Sequence, residues 1–339
     1  MRLTRLSHSV LAAIFLCSVG AASIQAQSPA QGAASAPAGK GRLIFTVLDS
    51  QSEPADLSIE NLRLLLDKKP QQLIALRKLE EQPLSLAIMI DTSVSQERTL
   101  PDQRRAADAF VQAVMHPGRD QAAVVTFTGK MVVEQSSTND LSLIRGAIAR
   151  ASFVPPPGYI GRGTVIQGSA APLPPANSQV GATAIWDAVW KATEDLLVPA
   201  TADNRKAIIL LTDGVDTASV KRMREAVEHS VAANVVIYAI GIGDKYNFGI
   251  DEGALRKLTD QTGGRAFIPR KGQDLTNIFA EIGQGLRNQY ELIYRSGTGS
   301  ENTFQRVQLE IIHPVLRPKE LRISYQRISA QTTNRNQNR

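Results

Sequence analysis

Asp91-Thr92-Ser93-Val94-Ser95 sets one carboxylate and two hydroxyls at alternating positions of a short segment. Three hard oxygen donors this close together suit a hard divalent cation, which takes oxygen ligands in octahedral geometry and keeps part of its water. The same residue types also form turns and helix N-caps, so the pentapeptide alone does not decide between a ligand and a cap. Two further segments extend the pattern. Thr212-Asp213-Gly214 offers a second carboxylate, and Gly181-Ala182-Thr183-Ala184-Ile185-Trp186-Asp187-Ala188 is a glycine-led turn that brings a hydroxyl to a predicted helix start. The co-occurrence of all three segments favours the ligand reading.

Each acidic loop follows an uncharged apolar run, Leu84-Ser85-Leu86-Ala87-Ile88-Met89-Ile90 before Asp91 and Ala207-Ile208-Ile209-Leu210-Leu211 before Thr212. Such runs read as strands buried on both faces of a parallel sheet. From Leu84 to about Gly285 strands alternate with amphipathic helices, which predicts an α/β fold with a doubly wound, Rossmann-like, mostly parallel sheet. Val124 to Phe127 and Met131 to Val133, joined by Thr128-Gly129-Lys130, read as a hairpin that makes one edge strand antiparallel. A helix starting at Pro101 would turn Ala106, Ala109, Phe110, Ala113 and Val114 toward the sheet. Further helices are expected over 141–149, 183–197, 220–233, 252–262 and 275–287, and strands over 235–242 and 265–268. Asp91 and Asp213 converge only if their strands lie side by side. A doubly wound sheet provides this at its topological switch point, outside the carboxyl ends of the strands, where ligands bind.

These residues resemble the von Willebrand factor type A family, whose metal-ion-dependent adhesion site reads Asp-x-Ser-x-Ser, then a Thr, then an Asp. The resemblance implies that Ser93, Ser95 and Thr183 bind an ion directly, while Asp91 and Asp213 act largely through metal-bound waters. It implies Mg2+, or Mn2+ or Ca2+, as cofactor, with one coordination position left for an Asp or Glu carboxylate of a protein partner. The layout is also similar to a bacterial secreted subgroup. There a short β segment precedes the metal domain, and a strand start like Arg287-Asn288-Gln289-Tyr290 follows it.

The flanks differ in kind from the alternating region. Residues 42–80 and 289–327 hold short strand-like runs, the first around Asp67-Lys68-Lys69-Pro70, and neither is large enough to bury a good core alone. They are expected to pair into one small β-rich unit with residues 83–288 inserted between its halves. Independent small strands are the other reading. Residues 1–26 carry Arg2 and Arg5, an apolar run from Val10 to Ala22 and small residues near Ala26, the pattern of a cleavable signal peptide for secretion or the periplasm. The run of about 13 residues falls short of a membrane span, which takes about 20. Its loss removes the lone Cys17 and, with two arginines and no acid, lowers the formal charge from +6 to +4. No Lys/Arg stripe suggests nucleic acid. Residues 27–41 read as a flexible lead-in and 328–339 as a disordered tail.

Residues 154–182 form a long proline-rich insertion with little periodicity that leads into Thr183. Two readings stand for it: a specificity loop with Tyr159, Arg162 and Ile166 as contacts, or a disordered surface excursion. Hydrolysis by a metal-activated water lacks a companion base or nucleophile, since His116, His229 and His313 show no zinc-like spacing. No nucleotide loop follows a strand; Gly241-Ile242-Gly243-Asp244 lacks the rest of the fingerprint. Asp216 either tunes the metal electrostatically or caps the helix that follows it with Thr217 or Ser219, and Trp186 and Trp190 are expected to pack. The expected function is therefore a non-catalytic, secreted or periplasmic adhesion-type protein that grips an acidic partner residue through the ion. The alternative is an envelope assembly or scaffolding factor in which the metal is structural.

Overall fold

The computed structural model describes residues 39–153, 155, 159–161, 164–165, 182–243, 249–269, 275–295, 304–312 and 321–329. The expected signal peptide, residues 330–339 of the expected tail, most of the 154–182 insertion with Arg162 and Ile166, and His313 lie outside them; residues 328 and 329, expected to be disordered, instead form a short strand.

In chain order the N-terminal flank gives β1 (Lys40–Leu48), β2 (Leu62–Leu66), β3 (Lys69–Pro70) and β4 (Leu73–Lys78). The alternating region follows: β5 (Leu84–Asp91), α1 (Leu100–Val114), β6 (Gln121–Phe127), β7 (Met131–Thr138), α2 (Leu141–Arg150), and the small hairpin β8 (Tyr159–Gly161) and β9 (Thr164–Val165). It continues with α3 (Ile185–Ala192), β10 (Arg205–Thr212), α4 (Met223–Ala232), β11 (Val235–Gly241), α5 (Glu252–Thr262), β12 (Ala266–Phe267) and α6 (Thr276–Arg287). The C-terminal flank adds β13 (Gln289–Arg295), β14 (Phe304–Gln305), β15 (Val307–Ile311), β16 (Arg322–Tyr325) and β17 (Ile328–Ser329). Among the described residues no helix is long and apolar enough to cross a membrane.

The central sheet runs β12-β11-β10-β5-β6-β7, parallel throughout except for the antiparallel edge pair β6 and β7. Every residue of β5, β10 and β11 is buried, as strands covered on both faces require. The period of two divides them between two cores. Leu84, Leu86, Ile88 and Ile90 pack with α1, α2 and α6 on one face, whereas Ala87 and Met89 pack with α3, α4 and α5 on the other. Each large apolar side chain buried this way contributes roughly 1.5–3 kcal/mol.

Helix α1 turns a different stripe inward from the one the sequence suggested. Gln103, Ala106, Ala107, Phe110, Val111 and Val114 are buried, while Ala109 and Ala113 are exposed. Both stripes keep the 3.6-residue period and share Ala106, Phe110 and Val114; the buried one is the one that also takes in the larger apolar Val111, leaving Ala109 and Ala113 outside. It also puts one polar residue, Gln103, into the core.

The flanking strands share two larger sheets, β16-β1-β13-β4 and β15-β2-β3, beside the two-stranded pair β14-β17, antiparallel throughout. The two larger sheets feed one buried cluster that includes Leu43, Phe45, Val47, Leu64, Tyr290, Leu292 and Leu309. Phe45 stacks on Tyr290 with ring centroids 5.4 Å apart. Between β2 and β3 the chain reverses through Asp67 and Lys68, both at positive φ, and the Arg306 amide donates to Asp67 Oδ1 at 2.9 Å.

Candidate metal centre

β5 and β10 are hydrogen-bonded neighbours in parallel, with Leu211 opposite Ile90, so Asp91 and Asp213 leave the sheet at the same edge. From β5 the chain winds to β6 and β7 on one side, then crosses to β10 on the other. The acids therefore sit at the switch point of the sheet.

The two carboxylates are held in parallel ways. Asp91 Oδ1 accepts from the Ser93 amide at 2.9 Å, and Asp213 Oδ1 from the Val215 amide at 3.0 Å. Asp91 Oδ2 accepts from Thr212 Oγ1 at 2.6 Å, and Asp213 Oδ2 from Gln96 Nε2 at 2.7 Å. Both residues are fully buried. Burial, then the charge of Asp213, pushes the Asp91 carboxyl up to about 7. Burial likewise raises that of Asp213, partly offset by the Ser95 hydroxyl. No lysine or arginine is among the described partners of either, so two acids share a low-dielectric site without a counter-charge.

The hydroxyls are not spent on capping. Ser93 precedes the short 3-10 turn Val94–Gln96 but makes no side-chain cap; its Oγ lies 3.1 Å from Ser95 Oγ. Thr183 is buried just ahead of α3, and its own hydroxyl makes no hydrogen bond among the described residues. The amides at the start of α3 are met from elsewhere: Asp216 Oδ1 accepts from Ile185 N at 2.7 Å, and Ser219 Oγ from Trp186 N at 3.0 Å. Asp216 thus caps α3, the helix beside Thr183, rather than the helix that follows it, whose N-cap is Arg222. Thr217 Oγ1 accepts from Thr183 N at 2.9 Å, and the amides of Thr217 and Ala184 bond Thr183 O and Thr128 O at 2.8 Å.

The structure joins Asp91, Thr212, Ser93, Ser95, Gln96 and Asp213 in close contact. Thr183 is tied to the loop after β10, its neighbour Ala184 to the loop after β6, and among the described residues no hydrogen bond links Thr183 to the other four predicted residues. Gly214 turns away from Asp213 at φ +85, and the loop after β11 passes so close that a Cβ on Gly243 would lie 3.0 Å from Asp213 Cβ. Among the described residues no group of three or more His, Cys, Asp or Glu is gathered to hold a metal. The donors here are carboxylates and hydroxyls, a hard set that a divalent cation would satisfy while neutralising the paired acids.

Sequence reasoning missed Gln96, Thr212 and Gln103. Gln103 did leave a signal, a polar residue on the stripe of Ala106, Phe110 and Val114. From the insertion, Tyr159 Oη donates to Glu97 Oε2 at 2.5 Å and packs edge-on against Phe153, with centroids 5.3 Å apart. Trp186 is buried in the core, and Trp190 stacks on His229 at 4.6 Å.

This is an α/β domain with an oxygen-donor cluster at the carboxyl ends of adjacent parallel strands. More narrowly, the model of the von Willebrand factor type A domain matches residues 173–281, a stretch containing Thr183 and Asp213 but not Asp91 to Ser95. No curated protein matches the chain significantly. Among solved structures, a von Willebrand factor type A protein from Catenulispora acidiphila is 15% identical, with 81% of this chain and 70% of that one covered and a TM-score of 0.47. An aerotolerance-related membrane protein from Bacteroides fragilis is 16% identical, covering 60% and 98%, with a TM-score of 0.44. Proximal thread matrix protein 1 from the mussel byssus, solved with a zinc-occupied MIDAS motif, is 19% identical, covering 66% and 50%, with a TM-score of 0.47.

Proposed function

We propose that this chain is a binding protein, not an enzyme, secreted or periplasmic, that holds a divalent cation at Asp91, Ser93, Ser95, Thr183 and Asp213. Through that ion it grips a carboxylate of a protein partner. The observation that carries the reading is the buried Asp91 and Asp213 pair without a counter-charge, beside hydroxyls that are left out of capping. Von Willebrand factor type A domains commonly mediate protein–protein contact, sometimes through a metal, which agrees with it. Mg2+ suits the set best, since few protein oxygens and retained waters are its habit. In this reading Ser93, Ser95 and Thr183 touch the ion, and Asp91 and Asp213 orient its waters. Among the described residues no histidine, lysine or cysteine hydrogen-bonds Asp91 or Asp213, which supports gripping over turnover.

Calorimetric titration of the protein with Mg2+ and Mn2+, beside a variant carrying both Asp91→Ala and Asp213→Ala, tests the reading. Saturable binding by the wild type and its loss in the variant is the expected outcome. An absence of binding in the wild type refutes the metal site.

A further inference from the structure

Behind Asp213 lies a chain of buried amides. Gln96 is fully buried in the turn after Ser95. Its Nε2 donates to Asp213 Oδ2 at 2.7 Å and to Ser95 Oγ at 3.3 Å. Its Oε1 accepts from Gln103 Nε2 at 2.7 Å and from Thr99 Oγ1. An amide facing an ionised carboxylate must present its NH2, and the Gln103 and Thr99 donors hold the other end in the matching orientation.

Stability alone does not account for Gln103. It is fully buried on a stripe otherwise made of Ala106, Ala107, Phe110 and Val111, and its own Oε1 has no partner. Leaving a buried acceptor unmet costs about 1–3 kcal/mol, whereas an apolar side chain of the same shape would avoid it. What the residue supplies is a donor to Gln96. A lysine in place of Gln96 would put a positive charge beside Asp213 and oppose a cation. A neutral amide orients the acid without that conflict.

We propose that Gln96 and Gln103 are positioning residues, a relay from helix α1 that holds Asp213 and Ser95 in the geometry a divalent cation requires. The proposal rests on the metal reading of the site. It adds two residues that touch no ion yet set its affinity, as outer partners of metal ligands do.

The test is Mg2+ titration calorimetry together with thermal unfolding in chelator, on the full chain and on Gln96→Met and Gln103→Met. Methionine keeps the length of glutamine without its polar groups. Gln96→Met is expected to weaken Mg2+ by about tenfold or more. Gln103→Met is expected to weaken it by a smaller factor while leaving the ion-free melting temperature unchanged or higher, because the unmet acceptor is gone. A merely structural role predicts the reverse, a lower melting temperature with unaltered affinity, and that result overturns the relay. Equal affinity in wild type and both variants overturns it too and leaves the metal reading standing. If the wild type binds no Mg2+, the metal reading falls and the relay with it. Should Gln96→Met fail to fold, Gln103→Met decides alone.

Discussion

In the proposed function, Asp91 is where proton and cation would compete. Its carboxyl is raised from 3.8 to about 7, first by burial and then by Asp213. The ion-free native state therefore keeps a proton that the unfolded chain releases near 3.8, and stability falls as pH rises between those values. Above about 7 this carboxylate is ionised in both states, and the loss is complete. A cation must displace the proton, so its affinity is expected to rise with pH across the same window. Calorimetry at about pH 6 and about pH 8, in buffers of different ionisation enthalpy, should show tighter Mg2+ binding at the higher pH and proton release at the lower. A pH-independent affinity would contradict this. At this scale much was legible, because Asp91, Ser93, Ser95 and Asp213 announce oxygen chemistry by type and spacing. Gln96 did not, since glutamine reads as a surface residue until its burial is seen, and Gln103 was marked only by its place on the apolar stripe of α1.

At the scale of elements, the decisive feature is how α3 starts. Its first amides are capped across space by Asp216 and Ser219, from the loop after β10, which leaves Thr183 free of that duty. Asp216→Ala is expected to lose about 1 kcal/mol in urea denaturation, the usual worth of an N-cap. An unchanged midpoint would show that Ser219 suffices. The sequence could point to the helix start but not to its cap, because Asp216 is local to the next helix and meets α3 only in three dimensions. The inward stripe of α1 was misread for a related reason. Alanine suits either face, and the burial of Val111 beside Phe110 turns the helix so that Ala107 rather than Ala109 and Ala113 is inside. Strands β5 and β10 were plain to read, since long uncharged apolar runs have few other fates.

Across the whole molecule, the first described strand lies between two late ones: β1 pairs with β13 on one side and β16 on the other. Asp120 ties the start of β5 to the end of α6, accepting from Leu84 N at 2.9 Å and pairing with Arg287. Arg327 N in turn donates to Gln261 O at 3.1 Å, joining the C-terminal flank to α5. Such pairings are set by contacts far apart in sequence, and turn chemistry alone misleads. After the tight turn at Asp67 and Lys68, β4 leaves the β2–β3 hairpin and joins β13 in the other sheet. The frame that results presents the switch point of the central sheet, and the central claim is that a cation sits there. Anomalous diffraction at the manganese edge, from crystals grown with Mn2+, tests it most directly. The account predicts one strong peak ringed by Ser93, Ser95 and Thr183, with Asp91 and Asp213 behind its waters. Fully occupied Mn2+ elsewhere, with no peak among these five residues, would contradict it.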